Sequence, residues 1–162
     1  MRELDRRAIE DHGIPGAELM RRAASAGWSA SCRRWGLPRR IAVFCGAGNN
    51  GGDGYEIARL AQAAGVEVRL FELPGERRGD AAVMREVWRG VGEIQTLSEA
   101  DCLLPTRVDL VVDALLGTGL SRPPNPVAEV AITAINAARA TGARVLAVDL
   151  PSGLEADTGH AP

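Results

Sequence analysis

Between Ile41 and Gly54 the chain reads Ile-Ala-Val-Phe-Cys-Gly-Ala-Gly-Asn-Asn-Gly-Gly-Asp-Gly, and no other stretch restricts the fold as much. Ile41–Cys45 is an apolar run of the length of a buried strand. The next nine residues carry five glycines, two asparagines and one aspartate, and Tyr55–Ala61 then resumes with helical periodicity. A strand, a glycine loop and a helix start, in that order, place a ligand loop at the carboxyl edge of a parallel sheet. Glycine admits positive φ and close approach of the backbone to a ligand, and the helix behind the loop offers free N–H groups and a partial positive charge. Gly46–Gly51 fits G-x-G-x-x-G, a weak signal on its own. Asn49, Asn50 and Asp53 set this loop apart. A carboxylate at a helix start repels a pyrophosphate, whereas amide and carboxylate oxygens suit a cation or a ligand hydroxyl. Asp53 by itself also reads as a helix N-cap.

The rest of the chain repeats the alternation. Leu4, Ala8 and Ile9 mark one helical face; after Gly13-Ile14-Pro15-Gly16, Leu19, Met20, Ala23, Ala24, Gly27 and Trp28 mark another. That stripe of small residues suits the core, or close packing on another helix or a second subunit. Strands are predicted at Val66–Leu73, Glu93–Leu97, Val108–Leu116 and Arg144–Leu150, and helices from about Gly52 to Ala64, over Gly79–Gly90 and over Asn125–Thr141, with Gly65 and Gly142 as stops. Apolar strands without alternation are buried on both faces. Strands alternating with helices predict an α/β fold with a parallel, doubly wound sheet. Glu72 falls where dinucleotide folds hold a ribose, although an edge residue facing solvent is the simpler reading.

The 162 residues fit one domain, and a net charge of −2 with 4% aromatics gives no footprint for nucleic acid. The three cysteines, Cys32, Cys45 and Cys102, form no C-x-x-C and suit a reducing, cytoplasmic setting. His12 and His160 lie near opposite ends, which gives little support to a transition-metal site or a Ser-His-Asp triad. The charged start is unlike a signal peptide, and no apolar run reaches the roughly 18 residues of a membrane span.

Three predicted turns should share the carboxyl edge of such a sheet. Asp113 and Asp149 each precede a glycine turn, and Asp53 lies in the first loop. An acid at a buried strand end needs a partner: a helix start, an arginine or a cation. The chain contains no lysine, so the nearby candidate is Arg122. Asn50, Asp113 and Ser152 would give a hard cation an amide oxygen, a carboxylate and a hydroxyl, and a single formal charge favours a monovalent ion. Gly117–Pro123 repeats the glycine device, and its N–H groups with Thr118, Ser121 and Arg122 suit a phosphate. Neither loop is a Walker A motif, and Ser152 does not sit in G-x-S-x-G.

Three blocks carry a resemblance to a known family: Gly48-Asn49-Asn50-Gly51-Gly52-Asp53-Gly54, Asp113-Ala114-Leu115-Leu116-Gly117-Thr118-Gly119-Leu120 and Asp149-Leu150-Pro151-Ser152-Gly153-Leu154. They are similar to the signature blocks of the NAD(P)H-hydrate epimerase family, the YjeF N-terminal domain, and the likeness runs in order along essentially the whole chain. The resemblance implies a Rossmann-like three-layer αβα sandwich with a mainly parallel sheet, a bound potassium ion and a frequent homodimer. The implied activity is interconversion of the R and S epimers of NADHX and NADPHX, with an ADP- or ATP-dependent dehydratase consuming the S epimer. Carried over by position, Asn49, Asn50, Gly51, Gly52, Asp53, the loop Gly117, Thr118, Gly119, Leu120, Ser121, Arg122 and Pro123, and Asp149 would contact the nucleotide. Asn50, Asp113 and Ser152 would ligate potassium, with Asp149 as acid/base and Asp53 as second choice. Arg21 and Ala24 depart from a Leu-Met-Glu-x-Ala-Gly block of the family. Family domains also continue past the third block, so residues 1–162 are expected to be such a domain without its last elements, from a bifunctional parent. The rival expectations are a Rossmann dehydrogenase, disfavoured by Asp53 and the lack of a catalytic His or Lys, and a non-catalytic binding member of the family.

Overall fold

The computed structural model describes residues 2–98, 107–118 and 123–159. In chain order these form α1 (Arg2–Glu10), α2 (Gly16–Trp35), β1 (Arg40–Cys45), α3 (Asn49–Ala63), β2 (Glu67–Glu72), α4 (Gly79–Arg89), β3 (Gln95–Thr96), β4 (Leu110–Ala114), α5 (Pro126–Ala140) and β5 (Arg144–Ala147). The strands make one sheet in the order β3-β2-β1-β4-β5, with every described pairing parallel.

Strand periodicity sorts the core into two layers. Ile41, Val43 and Cys45 of β1, with Leu110, Val112 and Ala114 of β4, face Met20, Ala24 and Trp28 of α2, Tyr55, Ile57 and Ala58 of α3 and Met84 and Trp88 of α4. The alternate residues Ala42, Phe44 and Val111 face Ala128, Ala131, Ile135 and Ala138 of α5. This is a three-layer αβα sandwich, and the all-apolar runs of β1 and β4 follow from burial on both sides. The two faces also follow from chain direction. The path β1 to β2 moves one way along the sheet and β4 to β5 the other, so right-handed crossovers put α3 and α5 on opposite faces.

Helix ends are set locally. Asn125 caps α5, its side-chain oxygen accepting from the Ala128 N–H at 2.9 Å, with Pro126 in the first turn. Gly65 (φ 79°) and Gly142 (φ 104°) follow α3 and α5 as the expected stops. Four elements differ from expectation by more than one residue: α3 begins at Asn49 rather than Gly52, β5 ends at Ala147 rather than Leu150, β4 is Leu110–Ala114 rather than Val108–Leu116, and the predicted strand 93–97 is only Gln95–Thr96. No helix among the described residues is long and apolar enough to cross a membrane.

Candidate functional site

The chain leaves β1 toward β2 and returns to pair β4 on β1's other side, which makes the carboxyl ends of β1 and β4 a switch point. Helices on opposite faces leave a crevice there, and ligands of open α/β sheets bind in such crevices. Asn50, Asp113 and Ser152, from three separate connections, meet at this place around the backbone of Leu116. Asp113 is buried in β4. Its Oδ2 accepts from the Ser152 N–H at 2.8 Å, and its Oδ1 accepts from the Ser152 hydroxyl at 2.5 Å and the Leu115 N–H at 3.3 Å. The Ser152 Oγ in turn accepts from the Leu116 N–H at 3.0 Å. The buried acid is thus held by donors from its own turn and from the third block, which answers the question of its partner without an arginine.

Asn50 approaches from α3. Its side-chain NH2 donates to the Leu116 carbonyl at 2.9 Å, while its Oδ1 is buried and accepts no hydrogen bond among the described residues. A buried acceptor without a donor costs about 1–3 kcal/mol. Asn50 and Ser152 both meet the backbone of Leu116, and Ser152 meets Asp113, so the oxygens these residues bring to the crevice form an all-oxygen set with one formal charge. Such a set fits a hard, weakly charged cation. Among the described residues no three His, Cys, Asp or Glu side chains cluster as metal ligands.

Asp149 stands at the exposed end of the same edge. Its Oδ2 accepts from the Thr118 N–H at 2.8 Å, and a Cβ on Gly117 would lie 2.5 Å from that oxygen. Gly117 is therefore needed for the carboxylate to sit over the second turn. The Thr118 N–H expected for a phosphate is engaged by Asp149 instead. Pro123 is exposed; Gly119, Leu120, Ser121 and Arg122 lie outside the described residues.

The first loop is shorter than its sequence suggests. Gly48 is the N-cap of α3, without a side-chain cap bond, so Asn49, Asn50, Gly51, Gly52 and Asp53 all lie in the first turns of the helix. Asp53 is a half-buried helical residue and not the cap. Asn49 and Asp53, four apart, share a helix face. Nor do the loop glycines take positive φ. They allow contact: a Cβ on Gly51 would lie 2.0 Å from the Gly46 carbonyl oxygen, and one on Gly54 would lie 2.7 Å from the Ala114 Cβ. These approaches let α3 start directly over β1 and bring Asn50 to Leu116.

Glu72 is not a solvent-facing edge residue. It is 3% exposed, and β3 pairs outside β2. Arg85 grips the carboxylate with two bonds of 2.8 and 2.9 Å, and the Tyr55 hydroxyl donates to it at 2.7 Å. Burial works against its charge, but Arg85, Tyr55 and Arg77 outweigh burial and hold the carboxyl below its ordinary range. Burial likewise pushes the Tyr55 hydroxyl well up, so it stays a donor. The sequence reading missed this cluster and the Leu116 carbonyl. Arg77 and Arg85, spaced eight apart after Glu72, were its only local trace.

At the opposite, amino edge of the sheet lies an open groove of about 1100 Å³, lined among others by Trp35, Arg39, Asp109 and Arg144. The Asp109 carboxylate there is taken up by the N–H groups of Arg39 and Arg40, at 2.8 and 3.0 Å. Those bonds, the Arg40 one foremost, lower its pKa. The groove holds no strand-end acid, and its charge serves strand starts.

Comparison with known proteins gives the chain its family. The profile of the family described as YjeF-related protein N-terminus matches residues 16–162. The chain is 40% identical over 164 residues to the bifunctional NAD(P)H-hydrate repair enzyme Nnr of Escherichia coli, covering 100% of this chain and 31% of that protein. It is 40% identical over 167 residues to the NAD(P)H-hydrate epimerase of Rhodobacter capsulatus, covering 97% of this chain and 76% of that protein. The crystal structure of yeast ynu0 superposes with a TM-score of 0.82 at 22% identity, over 97% of this chain and 70% of that one, a likeness of fold.

Proposed function

The chain belongs to the YjeF-related protein N-terminus family, and from that premise we propose that it is an NAD(P)H-hydrate epimerase, an isomerase that interconverts the R and S epimers of NADHX and NADPHX. The chain spans about a third of the bifunctional relatives and three quarters of the Rhodobacter epimerase. The observation that carries the reading is the meeting of Asn50, Asp113 and Ser152 at the switch point, with Asp149 held beside them by Thr118.

In the substrate the hydroxyl sits on a carbon bonded to the ring nitrogen. Protonation of that hydroxyl lets the nitrogen lone pair expel it as water, leaving a planar iminium carbon. Water then adds to the other face and loses a proton. Asp149 is the group assigned to give the first proton and take the last, since it is an accessible carboxylate fixed by a backbone donor. Asp53, on the α3 face shared with Asn49, is the second candidate. Asn49, Asn50, Gly51, Gly52 and, carried over by position, residues 117–123 are the groups assigned to the nucleotide. Asn50, Asp113 and Ser152 would hold a potassium ion, and the orphaned Asn50 oxygen is what supports that assignment. A bound potassium ion supplies a fixed positive centre that ties the three turns together.

The S epimer is the form an ADP- or ATP-dependent dehydratase returns to NADH or NADPH. The test is therefore a coupled assay: purified R-NADHX, a dehydratase with its nucleotide, and the chain. The expected result is faster recovery of NADH absorbance when the chain is present. No acceleration over the spontaneous rate rejects the epimerase reading and leaves a binding role.

A further inference from the structure

Glu72 occupies the end of β2, directly paired with Cys45 of β1 in the register. A carboxylate there normally reads the ribose of a dinucleotide. A carboxylate offers about four acceptor sites. Here Arg85 supplies two donors, the Tyr55 hydroxyl a third and the Thr96 hydroxyl, at 3.4 Å, a fourth. No acceptor site is left for a sugar.

The cluster reaches the crevice by two routes. Arg77, itself buried, lies 3.6 Å from Glu72 and donates from Nε to the Tyr55 hydroxyl oxygen at 3.0 Å. Its two terminal nitrogens donate to the carbonyls of Leu73, at 2.6 Å, and of Gly75, so the turn after β2 is wrapped around one guanidinium. That turn is tied to the residue from which the glycine loop leaves: the Leu73 N–H donates to the Cys45 carbonyl at 2.9 Å. Tyr55 belongs to α3, whose first turn carries Asn49 and Asn50. The glycine loop is thus held at its start through Cys45 and at its far end through Tyr55.

We propose that Glu72 is a positioning residue: with Arg77, Arg85 and Tyr55 it fixes the wall formed by the Leu73–Arg77 turn and the start of α3, and it does not read the nucleotide's ribose. The substrates used to test it rest on the epimerase reading; the geometry does not. Two arginines answer one carboxylate in a buried place, so losing Glu72 leaves two cations facing each other.

Glu72→Gln and Arg77→Lys are compared with the wild-type chain, using R-NADHX and R-NADPHX in the coupled assay and hydrogen exchange of the backbone. A wall displaced by less than an ångström is expected to raise KM by about tenfold for both substrates alike, with kcat within about threefold. Exchange at Ala47–Asn50 is expected to quicken in Arg77→Lys, while α5 on the other face keeps its protection. A gain confined to NADPHX in Glu72→Gln means that the carboxylate reads the ribose, and overturns the proposal. Unchanged KM in a folded variant overturns it too, as does unchanged exchange at Ala47–Asn50. If Glu72→Gln does not fold, Arg77→Lys carries the same comparison. A wild-type chain without epimerase activity rejects the epimerase reading, and the exchange result alone then decides on the positioning.

Discussion

Asn50 gives both its roles away at the level of single atoms. Its nitrogen is spent on the Leu116 carbonyl, and its oxygen is buried with no donor among the described residues. Asp149 is held differently, at an exposed position and, among the described residues, by one backbone donor to its Oδ2. Asp149→Asn keeps an oxygen to accept from Thr118 but cannot give and take the proton. It is expected to lower kcat by about 10²–10⁴-fold, with nucleotide affinity, measured by titration calorimetry, nearly unchanged. Two glycines make a matched pair for stability. Gly51→Ala drives a Cβ to 2.0 Å from the Gly46 carbonyl oxygen, whereas Gly27, within α2, has nothing within 4 Å. In urea unfolding, Gly51→Ala is expected to cost about 1–3 kcal/mol or more and Gly27→Ala to add about 0.5–1 kcal/mol.

Among the elements, α3 is the one that makes the site, and it is where sequence and structure part. The strands were legible because their apolar runs at β1 and β4 have no period other than burial, and Gly65 and Gly142 marked helix ends. The start of α3 was not, because Gly51, Gly52 and Gly54 are poor helix formers on propensity. They are tolerated there because larger residues would meet Gly46, Met20 and the sheet. Tertiary contact, invisible in the local pattern, set the boundary three residues earlier and moved Asp53 from cap to helix face. Glu72 was misread for a similar reason: its partners lie on α3 and α4. Its pKa also makes a prediction for the β2–α4 unit. The folded carboxyl lies below its ordinary 4.5. Glu72 therefore stabilises the fold above about that pH, and the contribution is lost as pH falls through the lower folded value. Stability measured by denaturant over a pH series is expected to fall more steeply below pH 4.5 in the wild type than in Glu72→Gln, the two converging in acid.

For the molecule as a whole, one sheet has two unlike edges. The amino edge carries an open groove, and the Asp109 charge there caps strand starts. The carboxyl edge carries the candidate site, because the order β3-β2-β1-β4-β5 opens the crevice between β1 and β4 and brings three distant turns to it. The turns were legible as motifs, and their shared edge followed from the parallel order. What pattern alone did not supply was the hub, since the Leu116 carbonyl and N–H belong to the backbone and leave no mark on residue type. The central claim is that these turns enclose a monovalent cation. Crystals grown in potassium and soaked in rubidium, measured for anomalous scattering, test it most directly. The expected result is one strong rubidium peak bounded by the Asn50 Oδ1, Asp113, Ser152 and the Leu116 carbonyl. A well-occupied rubidium peak elsewhere, with none at that position, would contradict the claim.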